Sequence, residues 1–237
     1  MELLTRCSKT YEAMHRTVII IGATGGIGRV LLSRYTYEAT SSEGMIDVIP
    51  ASRREPWHLD IASPEQWECF VRAVGYGDNL QIINCAGINY NSLIGESDYD
   101  KWREVIEVNL IGSYNLLKAF TPLMKKQNYG RFMFLSSIAE KGLYGASAYA
   151  ASKAGLEGLV KSAAKELLKY NITVNALRLG YFNVGLIKDV PKRLLDETIL
   201  PSTAGELCDS TNLFDIIEGV FKCKDMTGSI INVDRGV

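Results

Sequence analysis

A β-branched run, Val18-Ile19-Ile20-Ile21, passes directly into the cluster Gly22-Ala23-Thr24-Gly25-Gly26-Ile27-Gly28, and a helical pattern opens at Arg29. Nothing else in the chain restricts its fold as much. A continuous β-branched run suits a strand buried on both faces, as in a parallel sheet covered by helices. Glycines between such a strand and a helix permit a tight turn and a close approach of backbone to a pyrophosphate, whose charge is favoured by the free amides of the helix N-terminus. Gly22, Thr24, Gly25, Gly26, Ile27 and Gly28 are therefore candidate cofactor contacts, with a plain structural turn as the competing reading. The spacing satisfies both Gly-x-x-x-Gly-x-Gly and Gly-x-x-Gly-x-x-Gly.

Further strands are predicted at 47–51, 80–84, 131–135, 172–176 and 229–233, with helical patterns between most of them. The longest helix starts near Ser97-Asp98, a candidate N-cap, and runs to about Met124; another runs from about Ser147 to Leu168. This alternation predicts an α/β fold, a single-domain Rossmann-type doubly wound parallel sheet with helices on both faces. The link from Ala51 to Asp60 is too short for a full crossover helix, so the third strand is expected to be short or degenerate near Trp57-His58-Leu59. Residues 1–16 read as an N-terminal extension and 17–237 as the domain.

At 237 residues, 47% hydrophobic, the chain is long enough for one full core and leaves no room for a separate substrate domain. Its formal charge of −1 supplies no basic field for a phosphate backbone, so nucleic acid is not an expected partner. No membrane span and no secretory signal core are evident, and a cytoplasmic location is expected. Five cysteines without a Cys-x-x-Cys pair, with only His15 and His58 as imidazoles, argue against a disulfide framework and against a metal site.

The residue after the second strand of such a fold normally reads the adenosine ribose, where a carboxylate would repel a 2′-phosphate. Here the chain has Ser52-Arg53-Arg54, a hydroxyl and guanidinium groups that suit a phosphate. NADP(H) is thus the expected cofactor, NAD(H) the alternative. Asp60, followed by Ile61, either receives the adenine amine or caps the helix beginning near Ser63 or Pro64. Asn84-Cys85-Ala86-Gly87 ends a strand at the sheet edge that presents the ligand crevice, and Asn84, Ala86 and Gly87 are expected to border the cofactor.

Tyr149 and Lys153 stand four apart within a helical segment, which stacks a phenol beside an ammonium. A nearby cation favours the phenolate and would bring the tyrosine toward the working range of a proton donor. A chance pair on an amphipathic surface helix is the competing reading.

Together the segments resemble the short-chain dehydrogenase/reductase family, most closely its 3-oxoacyl-[acyl-carrier-protein] reductase type. The markers are the Gly22 to Gly28 loop, Asn84-Cys85-Ala86-Gly87, Val108-Asn109-Leu110-Ile111-Gly112, Ser136-Ser137, Tyr149-x-x-x-Lys153, Val174-Asn175-Ala176 leading to Gly180, and Thr227 to Asp234. The resemblance implies that Tyr149 is the proton donor, that Lys153 lowers its pKa and binds the nicotinamide ribose, and that Tyr149 also borders that ribose. It implies a serine holding the substrate carbonyl and Asn109 holding a water in the proton relay. Ser137 is twelve residues before Tyr149, where the family usually has thirteen; strand alternation selects Ser137 over Ser136. Glu140 replaces a family glycine and either lines the pocket mouth or faces water. Past Gly180, Tyr181-Phe182-Asn183-Val184 falls where the nicotinamide carboxamide is contacted, giving Gly180 and Phe182 as cofactor residues. A substrate lid is expected over about 181–205, whose Lys188, Lys192 and Arg193 either meet an anionic carrier or solvate a helix. The implied activity is NADPH-dependent reduction of a ketone, small or carrier-bound, by a homotetramer or homodimer. A non-catalytic dinucleotide-binding regulator and a sugar epimerase or dehydratase are the alternatives.

Overall fold

The computed structural model describes residues 15–41, 45–54, 57–74 and 77–237. Six strands, β1 (Arg16–Ile21), β2 (Ile46–Ala51), β3 (Gln81–Asn84), β4 (Gly130–Ser137), β5 (Ile172–Leu179) and β6 (Ile230–Val233), form one sheet in the order β2-β1-β3-β4-β5-β6. Every pairing is parallel. The chain moves outward from β1 to β2 and then crosses back to β3 on the other side of β1. That reversal opens a crevice at the carboxyl ends of β1 and β3, where open α/β sheets bind their ligands.

Helices cover both faces, as strands apolar on both sides require. On one face α2 (Pro64–Val74), α4 (Gly112–Gln127) and α5 (Ser147–Leu167) bury a cluster that includes Ile19, Ile82, Phe132 and Val174. Trp67, Phe70 and Phe120 meet edge to face within it, at centroid distances of 6.0 to 6.2 Å. On the other face α1 (Gly26–Ser41) and α8 (Leu213–Lys222) cover Val18, Ile20, Met133 and Leu177.

The degenerate third strand is a single parallel bridge from Ser52 to His58. Most of the expected extension lies outside the described residues, and Arg16 already belongs to β1. Both β4 and β5 run on past the predicted ends at Leu135 and Ala176, because their backbones stay paired through Ser136–Arg178 and Ser137–Leu179 after the apolar run has stopped. The long helix predicted from Asp98 is capped there, the carboxylate accepting from the Lys101 amide at 3.0 Å. It is interrupted, however: α3 (Tyr99–Ile106) joins α4 through a π-type turn, Glu107–Ile111. Such single-turn insertions frequently mark functional positions, and this one carries Asn109.

After β5 the predicted lid segment holds short turns and the helices α6 (Lys192–Leu194) and α7 (Leu200–Ser202). Lys192 and Arg193 pair with Asp196 and Glu197 one turn on, and both cationic side chains remain 85% exposed.

Candidate active site

At the switch point, Gly22 turns the chain with φ +76°, and a Cβ there would stand 2.6 Å from the Ala86 amide nitrogen. A Cβ on Gly28 would lie 2.2 Å from the Gly22 carbonyl oxygen. These two glycines are thus required by protein packing, one between strand ends and one between helix and strand. Gly26 opens α1 and faces the backbone of Gly185, 2.4 Å from where its Cβ would be.

The residues present fit a dinucleotide. The first turn of α1 has no acidic side chain, which leaves the positive helix end to an external anion. Arg53 and Arg54 are exposed at the end of β2. Ser52, by contrast, is buried, and its hydroxyl donates to the Arg54 carbonyl at 2.8 Å and accepts from the Arg54 amide at 3.0 Å. It shapes the turn, while both guanidinium groups stay exposed. Asp60 caps no helix: its carboxylate accepts from the Ala62 amide, and Ser63 accepts from the Gln66 amide at the start of α2. Ile61 is buried, with its carbonyl held by the Trp67 indole at 2.8 Å.

At the end of β3, Asn84 donates to Ser113 and accepts from the Ala86 amide, which shapes the turn into Gly87. A Cβ on Gly87 would sit 3.4 Å from Asn109 Oδ1 and 3.6 Å from Lys153 Nζ, so this loop borders the Lys153 ammonium. Two residues on, the Asn89 side-chain oxygen is buried with no partner among the described residues, an unused acceptor next to the crevice.

Asn109 is 1% exposed and fully engaged. Its Nδ2 donates to the Ile88 carbonyl and to Ser152 Oγ, both at 3.0 Å, while Oδ1 accepts from the Ile88 amide at 2.9 Å. The side chain therefore clamps the β3 loop to α5, and both of its N–H groups are spent on protein. Ser152, which sequence reasoning passed over, completes the clamp by donating to the Tyr149 carbonyl at 2.8 Å.

On α5 the residues Tyr149, Lys153 and Glu157 follow one another at intervals of four and meet three consecutive residues of β4. Lys153 Nζ donates to the Leu135 carbonyl at 2.7 Å. Ser136 Oγ donates to Glu157 Oε1 at 2.8 Å. Ser137 faces the Tyr149 phenol and, as a hydrogen-bond partner, draws its pKa down. The serines thus point to different partners, and Ser137 is the one beside the phenol.

Burial dominates the site's electrostatics. It pushes the Tyr149 phenol above its ordinary value, with Ser137 opposing. It pushes Lys153 down to about 8 and the Cys85 thiol up to about 12, so the cysteine beside Lys153 is an uncharged thiol where the lysine titrates. The expected lowering of the phenol by Lys153 thus falls to Ser137 instead. The ammonium stands 5.4 Å from the Tyr149 ring centroid and is aimed at Leu135.

Gly180 closes the crevice on the far side, where a Cβ would stand 2.7 Å from Asp234 Cα. Phe182 turns its ring into the core, only 4% exposed, and bridges to Cys208 through backbone. Glu140 neither lines the mouth nor faces water freely: its carboxylate lies 3.2 Å from Arg178 Nε, with 16% of the side chain exposed. Nothing but the four-residue interval after Lys153 could have drawn attention to Glu157.

A parallel sheet with its glycine turn at the switch point and a Ser-Tyr-Lys group at its carboxyl edge defines a dinucleotide-dependent oxidoreductase. Residues 16–194 match the family model described as short chain dehydrogenase, and the chain belongs to that family. A 3-oxoacyl-[acyl-carrier-protein] reductase of Staphylococcus aureus is 29% identical over 94% of this chain and 98% of its own. An acetoacetyl-CoA reductase of Shinella zoogloeoides is likewise 29% identical, over 94% and 98%. Among solved structures, aldohexose dehydrogenase of Thermoplasma acidophilum superposes with a TM-score of 0.81 at 23% identity, covering 94% of each chain. The 3-oxoacyl-[acyl-carrier protein] reductase of Brucella melitensis gives 0.78 at 24%, covering 95% of this chain and 92% of its own. At those identities the two structures speak to the fold. Membership implies a nicotinamide dinucleotide as cofactor, and among the described residues no helix is long and apolar enough to cross a membrane.

Proposed function

We propose that the protein reduces a ketone, of the 3-oxoacyl type or a related carbonyl, to a secondary alcohol with NADPH. The observation that carries this reading is the meeting of Ser137 and Tyr149 on neighbouring ends of β4 and α5, beside the Lys153 ammonium. Bound reduced nicotinamide supplies the hydride to the carbonyl carbon. Gly25, Gly26 and Ile27 would hold the pyrophosphate at the start of α1, Arg53 the 2′-phosphate, and Lys153 the nicotinamide ribose.

Ser137 donates a hydrogen bond to the carbonyl oxygen and so fixes it over the phenol, since orientation supplies much of such a rate. As negative charge develops on that oxygen, the Tyr149 O–H gives it a proton, leaving a phenolate. The Lys153 ammonium stabilises that phenolate, and at pH 7 a lysine with a pKa of about 8 is mostly protonated. Asn109 holds the Ile88 loop and Ser152 in place around this group. The relatives' names support an acyl thioester as substrate, and the family's usual assembly supports a homotetramer or homodimer.

Replacement of Tyr149 by Phe tests the reading. NADPH binding should persist while turnover falls by about a hundredfold or more. A Phe variant that reduces acyl thioesters, cyclic ketones and keto-sugars as fast as the wild type refutes the assignment. NADPH binding with no turnover by the wild type on that panel supports a regulator instead.

A further inference from the structure

We propose that Glu140, acting through Arg178 and Glu157, is a positioning residue that holds Ser137 against the Tyr149 phenol. This rests on the reading of Ser137 and Tyr149 as reacting groups given above.

Arg178 lies beside Ser136 in the register of β4 and β5. Its guanidinium grips Glu157 with Nε to Oε1 at 2.9 Å and Nη2 to Oε2 at 2.6 Å. The same Nε lies 3.2 Å from Glu140, and Nη1 donates to Asn232 Oδ1 at 3.3 Å. Ser136 donates to the Glu157 carboxylate as well. One guanidinium thus joins the end of β4, the turn that follows it, α5 and β6.

Glu140 belongs to a 3-10 turn, Ile138–Lys141, which Ser137 caps by accepting from the Ala139 amide at 3.2 Å. Ser137 therefore lies between two anchored points, Ser136 before it and Glu140 after it. Beyond Glu140 the side chains turn outward: Lys141, Gly142, Leu143 and Tyr144 are all exposed, and nothing packs within 4 Å of a Cβ position on Gly142. The Glu140 carboxylate thus ties the turn to Arg178 immediately before that exposed stretch.

Exposed ion pairs contribute little, but these side chains are only 6% to 18% exposed, and a forked guanidinium is directional. Burial raises the Glu157 carboxyl, yet hydrogen bonds from Arg178 and Ser136 outweigh it and hold the group below its ordinary value. Glu157 and Arg178 accordingly stay ionised at neutral pH. The groups facing Tyr149 are Ser137 from β4, Lys153 on its own helix and, beyond Lys153, Cys85 at the end of β3. Glu140 reaches the phenol through the position of Ser137.

Glu140→Gln removes the ion pair, keeps the size, and leaves the Glu157–Arg178 fork to maintain the fold. Four quantities are measured: kcat, KM for NADPH, Tm, and the titration of Tyr149 by NMR of 13C-labelled tyrosine. The Tyr149 signal is identified by its loss in Tyr149→Phe. Expected are a fall in kcat of about tenfold, a KM for NADPH within about twofold, and a nearly unchanged Tm. Tyr149 should titrate at higher pH than in the wild type, because its serine partner has drifted. Arg178→Lys, which keeps the charge and loses the fork, should shift the titration the same way. In a Ser137→Ala background, Glu140→Gln should produce no further shift.

An unmoved Tyr149 titration in both single variants overturns the proposal, as does a shift of equal size in the Ser137→Ala background. A protein that reduces no carbonyl yet shows the serine-dependent shift supports the positioning role and refutes the reductase reading. An active wild type with an unmoved titration refutes the positioning role alone.

Discussion

Lys153 Nζ donates to the Leu135 carbonyl oxygen at 2.7 Å, so the ammonium is tied to a strand end inside a site that burial makes hostile to its charge. Burial brings this lysine to about 8, where an unfolded lysine titrates near its ordinary 10.5. Between those values the unfolded chain binds more protons than the folded one, and stability contributed by this residue rises with pH. Lys153→Met lacks that gain. The difference in Tm, variant minus wild type, should therefore fall as pH rises from 7 to 10, which calorimetry over that range checks.

Loss of the same proton should mark activity with the opposite sign. If the ammonium stabilises the phenolate, reductive kcat/KM should decline above about pH 8, where Lys153 becomes neutral. A profile flat to pH 9.5 under saturating NADPH would contradict that role.

Ser136 and Ser137 should separate cleanly on substitution. Ser137→Ala removes the hydroxyl beside the phenol and should lower kcat by about a hundredfold with little loss of stability. Ser136→Ala removes a donor from the buried Glu157 carboxylate and should cost about 1 to 3 kcal/mol of stability while kcat falls much less. Denaturant melts and steady-state kinetics on the two variants decide it.

Arg53 should select the cofactor. It is exposed where β2 ends, while the neighbouring Ser52 hydroxyl is spent on the Arg54 backbone. Arg53→Gln should raise KM for NADPH by about ten- to a hundredfold and leave NADH little changed, the difference expected of a charge-assisted phosphate contact. Parallel titrations with the two dinucleotides measure it.

Gly22→Ala should be destabilising independently of any ligand. The residue combines φ +76° with an Ala86 backbone nitrogen 2.6 Å from the Cβ position, and neither chain can move without breaking the sheet edge. A loss of about 2 kcal/mol or more is expected in chemical denaturation.

The sheet and the glycine turn were legible in the sequence because both depend on local pattern: a β-branched run, a glycine cluster and a helical period. Strand ends were less so. Ser136 and Ser137 look like the start of a loop by composition, yet Arg178 and Leu179 on the neighbouring strand keep them paired. The π-type turn at Asn109 was invisible, since its extra residue leaves the apolar period almost unchanged over so short a stretch. Spacing brought Tyr149 and Lys153 together, but where the ammonium points depends on a carbonyl at Leu135 that no side-chain pattern encodes. Glu140 shows the same limit, because its partner Arg178 lies thirty-eight residues away, on a strand whose other residues read as core.

The facing backbones of Gly26 and Gly185 set how closely the glycine turn and the segment after β5 can approach. They meet with no side chain between them, and a Cβ at position 26 would fall 2.4 Å from the Gly185 nitrogen. Any larger residue at 26 would therefore push apart two segments that are 159 positions distant in the chain, so the seam depends on what the sequence leaves out.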